Sequence, residues 1–463
     1  MLGRVPSANN GSVFDVDLLV LGSGASAFAA AIRARDLGRS VALVERATLG
    51  GTCVNVGCVP SKSLLRDAAS AAGDRGLWAA AVERKDGLVL GLRRSKYADL
   101  LAEYGIELHE GDARLTGAHT VAVDGREIRA GALLLAVGAR PAMPSIAGLT
   151  TAGVLTSTTA MELVDVPRRL AVIGAGSVGL ELADVFAGFG SEVTVIARSE
   201  AAAAHEPEVR EALRARYARS GRALLEHATV DRVQVEAGER LLSGAVGGER
   251  FELRADAVLV AAGRTPNTDE LGLAVAGVKV DAAGFVLVDA HQRTSTPWVF
   301  AAGDCTPQPE YVNVAAAAGA AAASNALGDE PRSLDFAALP RVIFTSPQLA
   351  VAGLTERAAL AAGHEVETAV LGLDAVPRAL VDNATDGVVK LVAEAGTRRL
   401  LGASVMADGA GEVIAAAVLA IERGMTAGEL AASWAPYLTM AESLKLAAQS
   451  FDRDPAHMSC CAA

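Results

Sequence analysis

The feature that most constrains this chain is a glycine motif that occurs twice, each time between an apolar strand and a helix. In the first copy, an apolar strand at residues 17–21 runs into Gly22, Gly24 and Ala27. Small residues at these positions allow backbone N–H groups at the start of the helix to approach a pyrophosphate. The next strand ends at Glu45, whose carboxylate is placed to accept hydrogen bonds from a ribose. The first copy therefore predicts a dinucleotide-binding βαβ unit.

The second copy of the motif follows an apolar strand at residues 170–173 and consists of Gly174, Gly176 and Gly179. The strand after its helix leads to Arg198, with no acidic residue at that point. An arginine there suits a 2′-phosphate, so the second site favours NADPH over NADH; an ordinary surface arginine is the alternative. Two dinucleotide sites in one chain predict that one holds a flavin and that the other supplies it with hydride.

The remaining pattern predicts how the chain is divided into domains. Residues 299–304 form a strand pattern that ends in Gly-Asp, which indicates that the chain returns to the first domain. From about residue 335 no glycine motif occurs, and strands such as residues 387–392 alternate with helices. We therefore expect an α/β fold with two Rossmann-like dinucleotide-binding domains and a C-terminal α+β domain. The expected domains are residues 1–150 with 265–335, residues 151–264, and residues 336–463.

Charge and hydropathy narrow the classes of partner. The 463-residue chain has a formal net charge of −12, which argues against nucleic acid or an anionic membrane as the main partner. The longest uncharged run, residues 311–328, is mostly alanine and glycine, so we expect a packed helix rather than a membrane span. Residues 1–17 lack an apolar segment after a basic start, which predicts no signal peptide and a cytoplasmic protein with no stable membrane association.

The five cysteines are too few and too unevenly spaced for the disulfide framework of a secreted protein. Cys53 and Cys58 lie on a segment rich in turn-forming residues, where they can close a short disulfide loop. A helix is expected to start after Pro60, and its dipole, together with the charge of Lys62, would stabilise a thiolate. A pair of buried structural cysteines is the alternative. Cys305 is expected to be buried and inert.

The run at residues 50–62, the two glycine motifs and the expected return strand at residues 258–267 resemble the pyridine nucleotide–disulfide oxidoreductases. This family includes glutathione reductase, dihydrolipoamide dehydrogenase and mercuric reductase. The likeness extends from about residue 16 to the C-terminus. It implies FAD on the first motif, NADPH on the second, and a homodimer held by the C-terminal domain.

The resemblance also implies roles for individual residues. Cys53 would be the interchange thiol and Cys58 the charge-transfer thiol beside the flavin, while Lys62 would pair with Glu181 near the flavin N5. Asp304 would bind the ribityl or phosphate groups of FAD. Further cofactor contacts are expected at these residues: Gly51, Thr52, Lys62, Gly138 and Gly263.

A tyrosine near the C-terminus separates this chain from the disulfide-reducing members of the family. Those members carry a histidine that serves as the acid–base group for thiol chemistry across the dimer interface. Here the matching segment, residues 436–442, keeps Thr439 and Glu442 but has Tyr437 in place of the histidine. Because a tyrosine has a reference pKa of about 10, it shuttles protons poorly near neutral pH. Mercuric reductases share this tyrosine, which predicts that Tyr437 faces a bound metal.

Close to the C-terminus lies an adjacent pair of cysteines, Cys460 and Cys461. Consecutive Cα atoms are about 3.8 Å apart, whereas relaxed disulfides favour about 4.4–6.8 Å, so this pair is suited to remain two thiols. Soft thiolates select soft metal ions such as Hg(II). By resemblance, this tail takes the ion from small thiols and delivers it to Cys53 and Cys58 of the other subunit. Incidental cysteines in a frayed tail are the alternative.

The expected activity is the NADPH-dependent reduction of thiol-bound Hg(II) to elemental mercury. A thioredoxin-reductase-like enzyme is the nearest rival, and a non-catalytic metal-sequestering protein is a rival from another class. Some mercuric reductases carry an N-terminal metal-binding domain with its own cysteine pair, so this chain is expected to correspond to the catalytic core alone. Ser177 and Asn313 stand where relatives often have tyrosine, which leaves the aromatic part of the metal site less defined than its thiols.

Overall fold

The computed structural model describes residues 13–328 and 330–453. The chain divides into two compact units. The first comprises the residues up to 60 together with 84–141 and 264–334, and the second comprises residues 61–83, 142–263 and those from 335 onwards. The mixed α/β fold expected from the sequence is confirmed.

The strands and helices follow one another in mixed order along the described chain. Up to residue 141 they are β1 (Val16–Leu21), α1 (Ala25–Asp36), β2 (Val41–Glu45), α2 (Gly51–Val56), α3 (Cys58–Ala71), α4 (Trp78–Arg93), α5 (Asp99–Tyr104), β3 (Glu107–Glu110), β4 (Ala113–Gly117), β5 (Thr120–Val123), β6 (Arg126–Leu135) and β7 (Ala139–Pro141). Over residues 142–263 they are α6 (Ser157–Ala160), β8 (Arg169–Ile173), α7 (Ser177–Gly188), β9 (Glu192–Ile196), α8 (Pro207–Arg219), β10 (Ala223–Leu225), β11 (Ala228–Glu236), β12 (Glu239–Val246), β13 (Glu249–Ala255) and β14 (Ala257–Val260). From residue 264 they are β15 (Arg264–Pro266), β16 (Val299–Ala301), α9 (Val312–Leu327), β17 (Arg341–Ile343), β18 (Gln348–Gly353), α10 (Glu356–Ala361), β19 (Val366–Gly372), α11 (Pro377–Val381), β20 (Val388–Glu394), β21 (Leu400–Ala407), α12 (Ala410–Glu422), α13 (Ala427–Ala432) and α14 (Glu442–Gln449).

The first unit is built on a parallel sheet in the order β3-β2-β1-β6. Strand β16 joins this sheet by pairing in parallel with β6, so the expected return of the chain to the first domain is confirmed. The carboxyl ends of β1, β2 and β16 therefore lie at one edge of the sheet, where open α/β sheets bind their ligands.

Helix α9 explains the long uncharged run of the sequence. It packs closely against α1, and a Cβ atom added to Gly319 would lie 2.0 Å from the backbone oxygen of Ser26. Alanine and glycine are needed because the two helix backbones approach each other so closely. The expected packed helix is confirmed, and no helix among the described residues is long and apolar enough to span a membrane.

The second unit contains separate sheets. A parallel sheet has the order β10-β9-β8-β14, and an antiparallel sheet has the order β11-β12-β13. Strands β17 to β21 form a further antiparallel sheet in the order β17-β18-β21-β20-β19, against which α12 packs its buried apolar face. This last part is the α+β region that the sequence predicts after residue 335.

One strand predicted from the sequence is interrupted. Residues 258–267 were expected to form a continuous strand, but β14 ends at Val260 and β15 begins at Arg264. Gly263 adopts a φ of +112°, a conformation that a strand residue with a side chain does not adopt. The expectation was wrong because a run of apolar residues does not reveal a break at a single glycine.

Candidate active site

The first glycine motif lies at the end of β1 and has the geometry of a phosphate-binding turn. Gly22 has a φ of +109°, and a Cβ atom there would lie 2.3 Å from the backbone oxygen of Ala136. Gly24 is the N-cap of α1 and provides no side-chain cap, so the first N–H groups of the helix are not satisfied by that residue. Ala27 is fully buried. These residues form a cradle that fits the pyrophosphate of a dinucleotide.

Glu45 ends β2 and is held in place by two hydrogen bonds. Its Oε2 accepts a 2.5 Å hydrogen bond from the hydroxyl of Ser23, and its Oε1 accepts one of 2.8 Å from the N–H of Ala47. A carboxylate has about four acceptor positions, so further positions remain for the hydroxyls of a ribose. The loop that follows β1 therefore orients the acidic side chain that the sequence singled out.

The second glycine motif repeats this geometry at the end of β8. Gly174 has a φ of +115°, and a Cβ atom there would lie 2.2 Å from the backbone oxygen of Ala261. Gly176 is the N-cap of α7, and a Cβ atom on Gly179 would lie 2.0 Å from the backbone oxygen of Gly174. Gly174 and Gly179 are thus required by the fold, and the turn fits a second dinucleotide.

Arg198 lies just after β9 and is exposed. Arg198 lies at the end of the second strand of its βαβ unit. Glu45 lies at the corresponding end of the second strand in the first βαβ unit. The two sites therefore carry opposite charges at the ribose end, which suits a ribose hydroxyl in one site and a 2′-phosphate in the other.

The cysteine pair lies on two consecutive short helical segments. Cys53 belongs to α2, and Cys58 is the first residue of α3. The sequence interpretation was wrong in two respects, because the segment is helical rather than a turn and α3 begins before Pro60. Proline is tolerated there because the N–H groups in the first turn of a helix have no partner within the helix.

The helix that carries Cys53 starts directly against the first glycine motif. A Cβ atom on Gly51 would lie 2.5 Å from the Cα of Gly24, and Gly51 has a φ of +66°. Only glycine permits this approach, and it brings Thr52 and Cys53 to the edge of the first dinucleotide cradle. This close approach is the geometric link between the thiol pair and the first cofactor site.

Tyr97 is a site residue that the sequence did not reveal. It lies in a π-helical turn (Arg94–Ala98) between α4 and α5, and its ring meets that of Phe28 edge-on at 4.7 Å. Burial raises the pKa of the Tyr97 hydroxyl, and the nearby Cys53 and Cys58 raise it further. The phenol therefore stays protonated beside the thiols. No pattern in the sequence signals this position, because π-turns have no sequence signature comparable to the glycine motif.

The Lys62 and Glu181 side chains, which were expected to pair, do so in the second unit. Lys62 lies on α3, one turn after Cys58, and its Nζ is 2.6 Å from Oε2 of Glu181. Glu181 lies on α7 and is buried, and its Oε1 accepts a 3.0 Å hydrogen bond from the backbone N–H of Phe344. The Lys62 ammonium also lies over the Phe344 ring, 4.7 Å from its centroid.

Asp304 lies after β16, at the same sheet edge as the first glycine motif. Burial raises the pKa of its carboxyl group, while Arg264, whose Nε is 3.4 Å away, acts in the opposite direction. The neighbouring Cys305 is fully buried, its thiol donates to the backbone oxygen of Leu135, and burial raises its pKa to about 12. The expectation that Cys305 is a buried packing residue is confirmed. Gly138, with a φ of +63°, lies in the turn that follows β6.

Of the C-terminal residues expected at the metal site, the structure describes Tyr437 only. Tyr437 is on the second unit, with 57% of its surface exposed. The following turn is held by Glu442, whose Oε2 accepts a 3.2 Å hydrogen bond from the N–H of Leu438. Cys460 and Cys461 lie outside the described residues.

The chain belongs to the pyridine nucleotide-disulphide oxidoreductases, because the model of that family matches residues 16–319 and that of its dimerisation domain matches residues 339–448. As a member of this family it uses FAD and NADPH, and it forms a homodimer through the C-terminal domain.

Its relatives include mercuric reductases. The chain is 45% identical to the mercuric reductase of Staphylococcus aureus, over 97% of this chain and 84% of that protein. It is 47% identical to the mercuric reductase of Streptomyces lividans, over 96% of this chain and 98% of that protein. Among solved structures, the HOCl-induced flavoprotein disulfide reductase RclA from Escherichia coli superposes with a TM-score of 0.86 at 29% identity, covering 94% of this chain and 99% of that one.

Proposed function

We propose that this chain is an NADPH-dependent mercuric reductase, which converts thiol-bound Hg(II) to elemental mercury. The observation that carries the proposal is the pair of cysteines, Cys53 and Cys58, beside the phenol of Tyr97, whose pKa is raised by burial and by both cysteines. Two thiolates suit a soft ion such as Hg(II). The relatives named mercuric reductases, at 45% and 47% identity, support the same reaction.

The domains and cofactor contacts are assigned on the same basis. FAD is assigned to residues 1–150 with 265–335, and NADPH to residues 151–264, with residues 336–463 as the dimerisation domain. The FAD contacts would come from Gly22, Gly24, Ala27, Glu45, Gly51, Thr52, Lys62, Gly138 and Asp304. The NADPH contacts would come from Gly174, Gly176, Gly179, Arg198 and Gly263. The support is the shape of the two glycine turns and the opposite charges of Glu45 and Arg198.

The chemistry of the proposed reaction falls largely to the thiols. A thiolate of Cys53 or Cys58 attacks Hg(II) and forms one S–Hg bond, while the bond between the ion and the small thiol that carried it breaks. The second thiol repeats the exchange, so that the ion is held by both sulfurs. Two electrons, which NADPH provides through FAD when both are bound, convert Hg(II) to uncharged mercury, and both S–Hg bonds break to return two thiolates.

The aromatic hydroxyls would orient the ion during this exchange. Tyr97 lies next to the thiols within the first unit, and its protonated hydroxyl can donate a hydrogen bond to a thiolate. Tyr437, which takes the place of the histidine of disulfide reductases, would face the ion from the other subunit. Its exposure in the single chain, 57%, is consistent with a residue that works at an interface.

The tail cysteines are proposed as the delivery site for the ion. Cys460 and Cys461 of one subunit would take Hg(II) from small thiols and pass it to Cys53 and Cys58 of the other. A reducing compartment such as the cytoplasm would keep all four thiols reduced. The chemistry of adjacent thiols supports this route, because such a pair resists closing into a relaxed disulfide.

The deciding experiment is NADPH oxidation by the purified holoenzyme. Hg(II) in excess small thiol would be compared with oxidised glutathione, lipoamide and thioredoxin as substrates. Oxidation with Hg(II), release of volatile mercury and no turnover of the disulfides would support the proposal, and Cys58→Ala would serve as the inactive control. Strong turnover of a disulfide with none on Hg(II) would instead favour a reductase of the RclA kind or one that resembles thioredoxin reductase.

A further inference from the structure

The ammonium group of Lys62 is held by two neighbouring residues, Glu181 and Phe344. Its Nζ lies 2.6 Å from Oε2 of Glu181 and 4.7 Å from the centroid of the Phe344 ring. The face of an aromatic ring carries a partial negative charge and attracts a cation at this distance. The carboxylate and the ring face therefore define the position of the ammonium together.

Phe344 also holds the carboxylate. Its backbone N–H donates a 3.0 Å hydrogen bond to Oε1 of Glu181, while the other oxygen, Oε2, accepts from Lys62. Both oxygens of the buried carboxylate are thus engaged, which leaves Glu181 little freedom to rotate. A single residue therefore acts on the pair twice, through its backbone on the acid and through its ring on the base.

The segment that carries Phe344 is itself anchored to α7. Ile343, the last residue of β17, is buried in the core that includes Leu180 of α7. Asp184, one turn after Glu181 on α7, accepts a 2.8 Å hydrogen bond from the N–H of Ser346. Glu181 and Asp184 lie on one face of α7, and their carboxylates accept hydrogen bonds from the backbone of residues 344–346. These hydrogen bonds fix the backbone that carries the Phe344 ring.

The exposure of the ring argues against a role that is only structural. Phe344 keeps 37% of its surface exposed, although the residue before it, Ile343, is buried. If the Phe344 ring served only to fill space in the core, we would expect it to be buried as Ile343 is. The side chain of Lys62 is 34% exposed, so the ring and the ammonium share a face that remains open in the second unit.

We infer that Phe344 is a positioning residue for Lys62, and that it holds the ammonium where that charge can act on the FAD ring system. The inference rests on the proposed assignment of Lys62 to the flavin site. A positive charge held near a flavin stabilises its reduced, more negative form, so the residue that fixes the charge also influences the midpoint potential.

The test is the midpoint potential of FAD in the holoenzyme, measured by spectroelectrochemical titration. Phe344→Leu keeps the backbone N–H and removes the ring, whereas Phe344→Tyr keeps a ring face. We expect the leucine variant to bind FAD stoichiometrically and to shift its reduction equilibrium about five- to tenfold towards the oxidised form. This is about 20–30 mV more negative for a two-electron couple. Phe344→Tyr should have the wild-type midpoint potential. Phe336→Leu, which makes the same substitution elsewhere in the second unit, is the control and should also have the wild-type potential.

A double-mutant cycle separates an effect through Lys62 from a general disturbance. In a Lys62→Met background, Phe344→Leu should cause no further shift, because there is no charge left to position. If the leucine variant does not fold, stepwise fluorination of the Phe344 ring weakens the negative ring face at nearly constant shape and should lower the potential progressively.

Two results would overturn the inference. One is a wild-type potential in Phe344→Leu or in the fluorinated series while Lys62→Met is shifted. The other is a shift by Phe344→Leu of the same size with and without Lys62. Neither result bears on the proposed function, which is tested separately by mercury release from the wild-type enzyme.

Discussion

The guanidinium of Arg93 donates a 2.7 Å hydrogen bond from Nε to Oδ1 of Asn55. This bond joins the end of α4, which leads into the π-turn that carries Tyr97, to α2, which carries Cys53. The amide nitrogen of Asn55 also donates to the backbone oxygens of Leu49 and Gly51, at 3.0 and 2.9 Å. One amide side chain thus fixes the cysteine helix relative to the tyrosine.

Removing this bond should weaken the site. Arg93→Ala leaves the Asn55 oxygen without its donor, and we expect the unfolding free energy to fall by about 1–2 kcal/mol. We also expect faster alkylation of the Cys53 thiol, because its helix loses a fixed neighbour and opens more often. Urea unfolding and thiol labelling measure the two effects. The neighbouring exposed residue gives the control, since Arg94→Ala should leave both unchanged. Equal effects of the two substitutions would rule out a specific role for the bond.

The hydroxyl of Tyr97 should matter for mercury and not for hydride transfer. Tyr97→Phe is expected to lower kcat for Hg(II) about tenfold, roughly 1.4 kcal/mol, because the thiolates lose a hydrogen-bond donor. NADPH-dependent reduction of an artificial dye, which does not need the thiols, should be unaffected. Since burial and the nearby thiols raise the pKa of Tyr97, the difference between the two enzymes should be constant from about pH 6 to 9. If the ratio of the two activities changed stepwise between about pH 6 and 9, the Tyr97 phenol would not stay protonated over that range.

The tail cysteines should be needed most when competition for the ion is strongest. With Hg(II) in a large excess of glutathione, replacing both Cys460 and Cys461 by alanine is expected to reduce turnover severely. With weakly held Hg(II) the loss should be much smaller, because the ion can then reach Cys53 and Cys58 directly. Rates of mercury release at increasing glutathione concentration provide the measurement. Full activity of the double variant in thiol excess would show that the tail is not a relay.

Arg198 should determine the choice of nicotinamide cofactor. Arg198→Ala is expected to raise KM for NADPH about 10- to 100-fold and to leave KM for NADH nearly unchanged, because only NADPH carries the 2′-phosphate. The comparison of kcat/KM for the two cofactors gives the result directly. Arg232 is another exposed arginine of the same unit, and Arg232→Ala should keep the wild-type preference. An unchanged preference in Arg198→Ala would mean that this side chain is an ordinary surface arginine.

His205 should make the stability of the protein depend on pH. Burial, and to a smaller extent Arg341, lower its pKa from 6.5 to about 4, and its Nδ1 has no hydrogen-bond partner among the described residues. Between these two values the unfolded chain binds the proton and the folded chain does not, so the unfolding free energy should fall as the pH drops from about 6.5 to 4. The contribution is roughly 3 kcal/mol.

Unfolding in urea at several pH values would measure this dependence on His205. His205→Leu should remove most of the slope between pH 6.5 and 4, whereas His227→Asn, a change at an exposed histidine, should keep it. Asparagine suits position 227 because the φ there is +53°. A slope that survives in His205→Leu would assign the effect to other groups.

Much of this protein could be predicted from local patterns. The two glycine motifs depend on backbone conformations that only glycine or another small residue permits, so Gly22 and Gly174 could be identified without coordinates. The same holds for the return of β16 to the first sheet and for the buried Cys305. The start of α3 and the break at Gly263 were wrong, because cap and turn preferences differ by little free energy and are decided by the surroundings.

Tertiary structure alone decided which residues meet. Tyr97 lies in a π-turn and stands near Cys53 and Cys58. Phe344 contacts both Lys62 and Glu181, although 163 residues separate Phe344 from Glu181. A contact between distant residues depends on how strands and helices pack, which no local pattern records. The sequence by itself therefore determined the chemistry that the chain carries, namely two dinucleotide turns and a pair of thiols. Folding decided which neighbours tune that chemistry, because burial and orientation arise only when separate elements pack together.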